Sequence, residues 1–168
     1  MTDTVAIIAD IHGNITALEA VLTDLQRRKP VSLILVLGDH FAYGPAPREV
    51  LATLRQLPNA IFISGNTDRY LLERTYPFEA GGQTWQEQLL QSFHWTREHL
   101  QADGLHFLEG LPATFTLKTA HNQVLAVHGT PQSDEDRLTA ALTAKELRDM
   151  DISSKVTMLV GGHTHIPI

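Results

Sequence analysis

The chain contains no cysteine among its 168 residues. Disulfide bonds are excluded, and so is any thiolate metal site; a bound metal must be held by nitrogen and oxygen. Long apolar runs are missing as well. The first, Val5 to Ala9, follows the acidic Asp3 and is too short for a signal sequence, and no stretch approaches the roughly 20 residues of a membrane span. The expectation is a cytoplasmic, soluble protein without a leader and with no membrane partner. An excess of positive charge is also lacking. Thirteen Lys and Arg face 19 Asp and Glu, a formal charge of −6, which argues against a broad nucleic-acid-binding surface. A small anionic substrate is not excluded, because bound cations can dominate a local field. Charged residues at 19% are too few for a disordered polyelectrolyte, and hydrophobic residues at 43% suffice for one core. Homo-oligomerisation is left open.

Apolar patterning then orders the chain. Val5 to Ala9 predicts a buried strand, followed by the loop Asp10-Ile11-His12-Gly13-Asn14. Ile15, Leu18, Val21, Leu22 and Leu25 recur at helical spacing, Arg27, Arg28 and Lys29 suit a helix C-terminus, and Pro30 ends it. Leu33 to Leu37 predicts a second strand, closing on Gly38-Asp39-His40. Turn residues from Tyr43 to Pro47 lead to a short helix over about 48–56. Ala60 to Ser64 predicts a third strand, closing on Gly65-Asn66-Thr67-Asp68. This β-α-β-α-β order implies a parallel layer with right-handed crossovers.

Beyond Asp68 the rhythm changes. After Gly81-Gly82, the residues Trp85, Leu89, Phe93 and Leu100 predict a helix, with Trp85 and Phe93 in the core. The stretch 69–111 is expected to be a helical excursion within one domain spanning 1–168, being too short for a core of its own. Segments 113–119 and 123–127 predict a hairpin around Ala120-His121-Asn122. An acidic loop (133–136), a helix near 143–150 and a strand over 155–160 complete the chain.

One regularity organises the polar residues. Asp10 and His12 follow the first strand, Asp39 the second, Asn66 the third, His128 the hairpin, and His163 and His165 the last. Open α/β sheets bind ligands beyond the carboxyl ends of their strands. Each short motif alone is weak; five of them at equivalent positions are not. Glycines beside them (Gly13, Gly38, Gly65, Gly129, Gly162) permit close backbone approach.

These motifs resemble the calcineurin-like metallophosphoesterase superfamily. The series Asp10-Ile11-His12, Gly38-Asp39, Gly65-Asn66-Thr67-Asp68, His128-Gly129 and Gly162-His163-Thr164-His165 follows that family's order over nearly the whole chain. Asp10 to Asn14 with Tyr43-Gly44-Pro45 is similar to the bacterial phosphodiesterase-like and diadenosine-tetraphosphatase-like branch. The resemblance implies an α/β fold, a β-sandwich flanked by helices in α/β/β/α layers. It also implies a site for two divalent transition-metal ions: Mn, Fe, Zn, Ni or Co. One ion would take Asp10, His12, Asp39 and His165; the other Asp39, Asn66, His128 and His163. The implied function is hydrolysis of phosphodiesters, activated phosphate esters or anhydrides by a hydroxide shared between two ions about 3.5–4 Å apart. The partner would then be a phosphate-containing small molecule. Two ions bring about +4 against the −2 of Asp10 and Asp39, a surplus that favours an anionic substrate.

Three departures accompany the resemblance. Thr67 stands where the family often has histidine, and a threonine hydroxyl is a poor proton donor to an alkoxide. That biases the expected substrates toward good leaving groups. His40 is a candidate replacement donor, weighed against an exposed loop histidine. The protein-phosphatase branch's arginine-rich motif is absent after Gly-Asp. Relatives continue past Gly-His-x-His into further strands, so the second layer is expected to lack C-terminal strands and expose an edge. Among the remaining polar residues, Asp68 is read as orienting a loop or a water. Arg69 is open between a substrate-phosphate contact and a surface charge, and Asn14 between a phosphate contact and a helix cap. His94, His99, His106 and His121 lie off the pattern and are read as surface or packing residues. The alternatives to the dinuclear enzyme are a mononuclear hydrolase and a non-catalytic metal-binding scaffold of the same fold that acts in protein binding.

Overall fold

The computed structural model of the chain describes residues 4–28, 30–78, 81, 84–119 and 121–166. Lys29, Gly82, Ala120 and the final Pro167-Ile168, which entered the sequence reading, lie outside the described residues. Strands β1 (Val5–Ile8), β2 (Leu33–Leu37) and β3 (Ala60–Ile63) form a parallel sheet in that order. Helix α1 (Ile15–Arg27) crosses from β1 to β2, and α2 (Pro47–Leu54) from β2 to β3. Pro47, expected in the turn, instead opens α2, where its missing N–H costs nothing.

The period-2 alternation of β2 divides the interior. Ile34 and Val36 face a core built with Leu18, Val50, Leu54, Tyr70, Leu71, Phe93, Leu100 and Leu108. Leu35 and Leu37 face the other way, packing with Ile63 of the same sheet and with Ala126 of the second sheet. That sheet holds β4 (Phe115–Lys118), β5 (Gln123–Ala126) and β6 (Met158–Val160), with β4 antiparallel and β6 parallel to β5. The two sheets pack on each other through this second cluster, and helices cover the other face of the first; the six-residue α5 (Ala144–Asp149) lies between β5 and β6 in the chain. β6 is an edge strand among the described residues, and its Met158 is 52% exposed.

The stretch beyond Asn66 differs from expectation. Asn66-Thr67-Asp68, read as the loop closing the third strand, form the first turn of α3 (Asn66–Glu73), whose remainder falls in the expected helical stretch, and α4 (Thr84–Glu109) runs longer than predicted. A break at Gln101, with φ 56° and ψ −169°, re-aims the second half of α4. Phe93 is fully buried, as expected, but Trp85 is 56% exposed and is no core residue. Leu71, Leu100 and Leu108 enter the principal core, so these helices form its outer wall.

Candidate metal centre

Every proposed ligand sits just past a strand: Asp10 and His12 after β1, Asp39 after β2, Asn66 after β3 at the start of α3, His128 after β5, His163 and His165 after β6. Both sheets thus deliver polar groups to one edge. The backbone there is unusual. Asp10, His12, Asp39, His163 and His165 all have positive φ, between 49° and 67°. The left-handed region is uncommon for L residues, though Asp and His tolerate it better than most, and such strain persists where surrounding contacts enforce it.

Those contacts are visible. His12 N–H donates to the Asp39 carbonyl (2.9 Å), and Gly13 N–H to that of His40 (2.9 Å). The Asp68 carboxylate, fully buried, accepts the N–H groups of Asp39 (2.8 Å), His40 (3.0 Å) and Gly65 (3.0 Å) and faces His40 Nδ1 at 2.7 Å. The loops after β2 and β3 are therefore bolted together through one side chain. Gly65 is required there, because a Cβ would collide with the Asp39 carboxylate.

The donor atoms converge in two groups. One oxygen or nitrogen from each of Asp10, His12 and His165 lies within 4.8 Å of the others, and the same holds for Asp39, His128 and His163. Asp39 Oδ2 stands between them, 3.6 Å from His12 Nε2 and 3.4 Å from His128 Nε2. Asn66 Oδ1 is 3.0 Å from both His128 Nε2 and His163 Nδ1. The two ring nitrogens His12 Nε2 and His165 Nε2 face each other at 3.2 Å.

This arrangement fits divalent ions. His128 Nδ1 lies 2.6 Å from the Leu37 carbonyl and His12 Nδ1 3.1 Å from that of Ala42. A carbonyl can only accept, so each Nδ1 carries the proton and each neutral Nε2 points a lone pair inward. Lone pairs and carboxylate oxygens facing each other repel unless a proton or cation lies among them. Without metal, a proton does that work. Burial alone would lower the His128 pKa, but its hydrogen bond and charge interaction with Asp39 outweigh it and raise it above the ordinary imidazole range. Burial would likewise raise Asp39, yet His128, His12 and the Thr67 N–H hold it below the usual carboxylate range. An all-nitrogen-and-oxygen set of this kind suits transition metals better than magnesium.

The remaining sequence candidates fall elsewhere. Asn14 caps α1, its Oδ1 accepting the Ala17 N–H at 3.0 Å, as the capping reading has it; a phosphate contact would fall to its amide nitrogen instead. His40 is no exposed loop histidine: it is fully buried, with Phe41, Phe62 and Phe107 around its ring and Asp68 on Nδ1. Enclosed in this way, it has no path to a leaving group and acts through Asp68 on loop position. Asp68 touches backbone rather than the metal-facing edge. Arg69 is neither a free surface charge nor a free phosphate ligand. It donates to Asp134 through Nε and Nη2 (both 2.8 Å) and to Glu135 (2.7 Å), while Tyr70 Oη also donates to Glu135 (2.8 Å). Of the off-pattern histidines, His94 packs near Tyr76, His99 stacks on Trp95 and His106 pairs with Glu109. Sequence reading missed the ring of Tyr43, whose centroid lies 5.2 Å from that of His12; its only signal was the Tyr43-Gly44-Pro45 motif.

Comparison with known proteins agrees with this geometry. An uncharacterised protein of Methanocaldococcus jannaschii is 30% identical over 165 residues, which cover 97% of this chain and 63% of that protein. A metallophosphoesterase of Sphaerobacter thermophilus, known from its crystal structure, is 31% identical with a TM-score of 0.71, over 99% of this chain and 62% of that one. The crystal structure of a candidate diadenosine tetraphosphatase is 27% identical with a TM-score of 0.58, over 79% and 54% of the two chains. The chain therefore spans less than two thirds of the length of each of these relatives. Residues 4–167 match the calcineurin-like phosphoesterase family, and with its strand-end loops arranged as described, the chain belongs to that family.

Proposed function

We propose that the protein is a dinuclear-metal-dependent phosphoesterase acting on phosphodiesters, activated phosphate esters or phosphoanhydrides. The observation that carries this reading is Asp39 Oδ2, which belongs to the donor group of His128 and His163 and, at 3.4 Å from His128 Nε2, also stands 3.6 Å from His12 Nε2 of the other group. Asp10, His12 and His165 would hold one ion, and Asn66, His128 and His163 the other, with Asp39 common to both. Divalent ions held by these residues would supply Lewis acidity, polarising phosphoryl oxygens and lowering the pKa of a bound water. The protein's own part is to keep the loops in strained positions through Asp68, and to keep lone pairs inward through the Leu37 and Ala42 carbonyls.

Substrate choice follows from what is not beside the site. Thr67 contributes its backbone N–H to Asp39, and its Oγ1 is buried with no partner among the described residues. No titratable side chain occupies that position, so departure of a basic alkoxide is unassisted there. Aryl phosphates, diesters and anhydrides, whose leaving groups need less help, are the favoured class. A dinucleoside polyphosphate belongs to it, as the name of one structural relative suggests.

The test is a screen of manganese-, iron-, zinc-, nickel- and cobalt-loaded protein against aryl and alkyl phosphomonoesters, cyclic and linear diesters, and dinucleoside polyphosphates. About two metals per chain and activity confined to the good leaving groups are expected. Absence of hydrolysis with every metal and every substrate would leave the scaffold reading in its place.

A further inference from the structure

Tyr43 stands apart from the other residues at this edge. Its φ is 80°, and an aromatic side chain gains none of the local hydrogen bonding that makes Asp or Asn tolerable in that region. The neighbouring contacts hold it there. Gly44 packs so closely on the backbone of His12 and Gly13 that a Cβ would collide with it, and Ala46 N–H donates to the Gly13 carbonyl at 3.0 Å. His12 Nδ1 meets the Ala42 carbonyl in the same turn. The loops after β1 and β2 thus lock around Tyr43.

What this achieves is a fixed ring at the mouth of the site. One face of Tyr43 lies against the His12 imidazole (centroids 5.2 Å apart, tilted 40°), and His12 in turn meets His165 at 5.1 Å. The ring also makes an edge contact with buried Phe93, again at 5.2 Å. Yet Tyr43 is 43% exposed, and its hydroxyl has no hydrogen-bond partner among the described residues. Strain maintained at an exposed polar group points to a ligand rather than to packing.

We propose that Tyr43 is a substrate-contacting residue, its hydroxyl donating a hydrogen bond to a non-bridging oxygen of a phosphate bound beside the Asp10–His12–His165 group. This rests on the phosphoesterase reading above and supplies it with a neutral donor beside His12. A preplaced donor aimed at developing oxygen charge is an efficient source of rate, because it needs no reorganisation.

Tyr43→Phe tests it, since it keeps the ring, its contacts with His12 and Phe93 and the backbone preference, and removes only the hydroxyl. Metal content, thermal melting and binding of inorganic phosphate to the manganese-loaded protein are measured for the parent, Tyr43→Phe and Tyr43→Leu. The expected result is unchanged metal content and melting in Tyr43→Phe, phosphate binding weaker by about tenfold, and no comparable further loss in Tyr43→Leu. Phosphate binding by Tyr43→Phe equal to that of the parent overturns the proposal; if Tyr43→Leu alone then weakens it, the ring rather than the hydroxyl is the contact. A parent that takes up no metal removes the dinuclear reading and this proposal together, whereas a metal-replete parent with an unaffected Tyr43→Phe removes only the role of Tyr43.

Discussion

Asp39 Oδ1 accepts the backbone N–H of Thr67 at 3.0 Å, and this one bond decides where the other carboxylate oxygen goes. Thr67 lies in the first turn of α3, whose free N–H groups attract negative charge. With Oδ1 held there, Oδ2 is turned to the midpoint between His12 and His128. Asp39→Asn keeps a carbonyl for Thr67 but places a neutral amide between the two histidines. Metal content should fall below one per chain by elemental analysis. Activity should drop by more than about 100-fold, beyond the roughly 10–100-fold usual for losing a group that only orients a ligand.

Asp68 and His40 should behave as structural parts with a functional consequence. Asp68→Ala strands the N–H groups of Asp39, His40 and Gly65 in a buried setting. At about 1–3 kcal/mol for each buried donor left unsatisfied, urea denaturation should show a loss of at least about 3 kcal/mol. His40→Ala should lower stability and rate while leaving the shape of the pH–rate profile unchanged. A lost limb in that profile would restore His40 as a proton donor.

Metal uptake should release a proton. In the metal-free protein the His128 pKa is raised, so near neutral pH its Nε2 is protonated and must lose that proton to coordinate. Apparent metal affinity should rise with pH, and the calorimetric heat should depend on the buffer's ionisation enthalpy. The same pair sets the metal-free stability curve. A raised histidine contributes stability that is fully present below its unfolded pKa of about 6.5 and lost as pH rises through the folded value. A lowered Asp39 contributes above its unfolded pKa of about 3.9 and loses this as pH falls through the folded value. This pair should therefore stabilise the metal-free protein most between those limits, with an alkaline decline that bound metal abolishes. Chemical denaturation across pH, with and without manganese, checks this.

Chelation should lower the melting temperature. Metal present at a hundred times its Kd stabilises the folded state by about 2.7 kcal/mol. Asn66→Ala, which removes an oxygen shared by His128 and His163, should lose part of that increment while the Asp10–His12–His165 group keeps its share. Thermal shifts against metal concentration separate the two.

Arg69→Ala should free the loop carrying Asp134 and Glu135 without changing metal content. The guanidinium is partly exposed, so the stability loss should be small, about 1 kcal/mol. Limited proteolysis within 133–142 should accelerate, and any activity change should appear in KM rather than kcat.

The division between sequence and structure follows physical lines. Strand β2 was legible to the residue because an uninterrupted apolar run buried on both faces has few other fates. Strand-end placement of Asp10, His12, Asp39, Asn66, His128, His163 and His165 was legible for the same reason: local order along the chain suffices. The start of helix α3 was not, because its polar first turn Asn66-Thr67-Asp68 carries no apolar stripe and is held by Asp39 and by backbone groups 28 and 29 residues away. Trp85 misled because size suggests burial, whereas packing decides it. What the sequence by itself determined is the donor chemistry and the order in which the strands present it. Only the tertiary structure decided that Asp39 faces both histidine groups, that His40 is sealed behind Asp68, that Arg69 is spent on the acidic loop and that Tyr43 covers His12. Each of these depends on contacts between loops far apart in the chain, where distance and direction, not residue type, set the role.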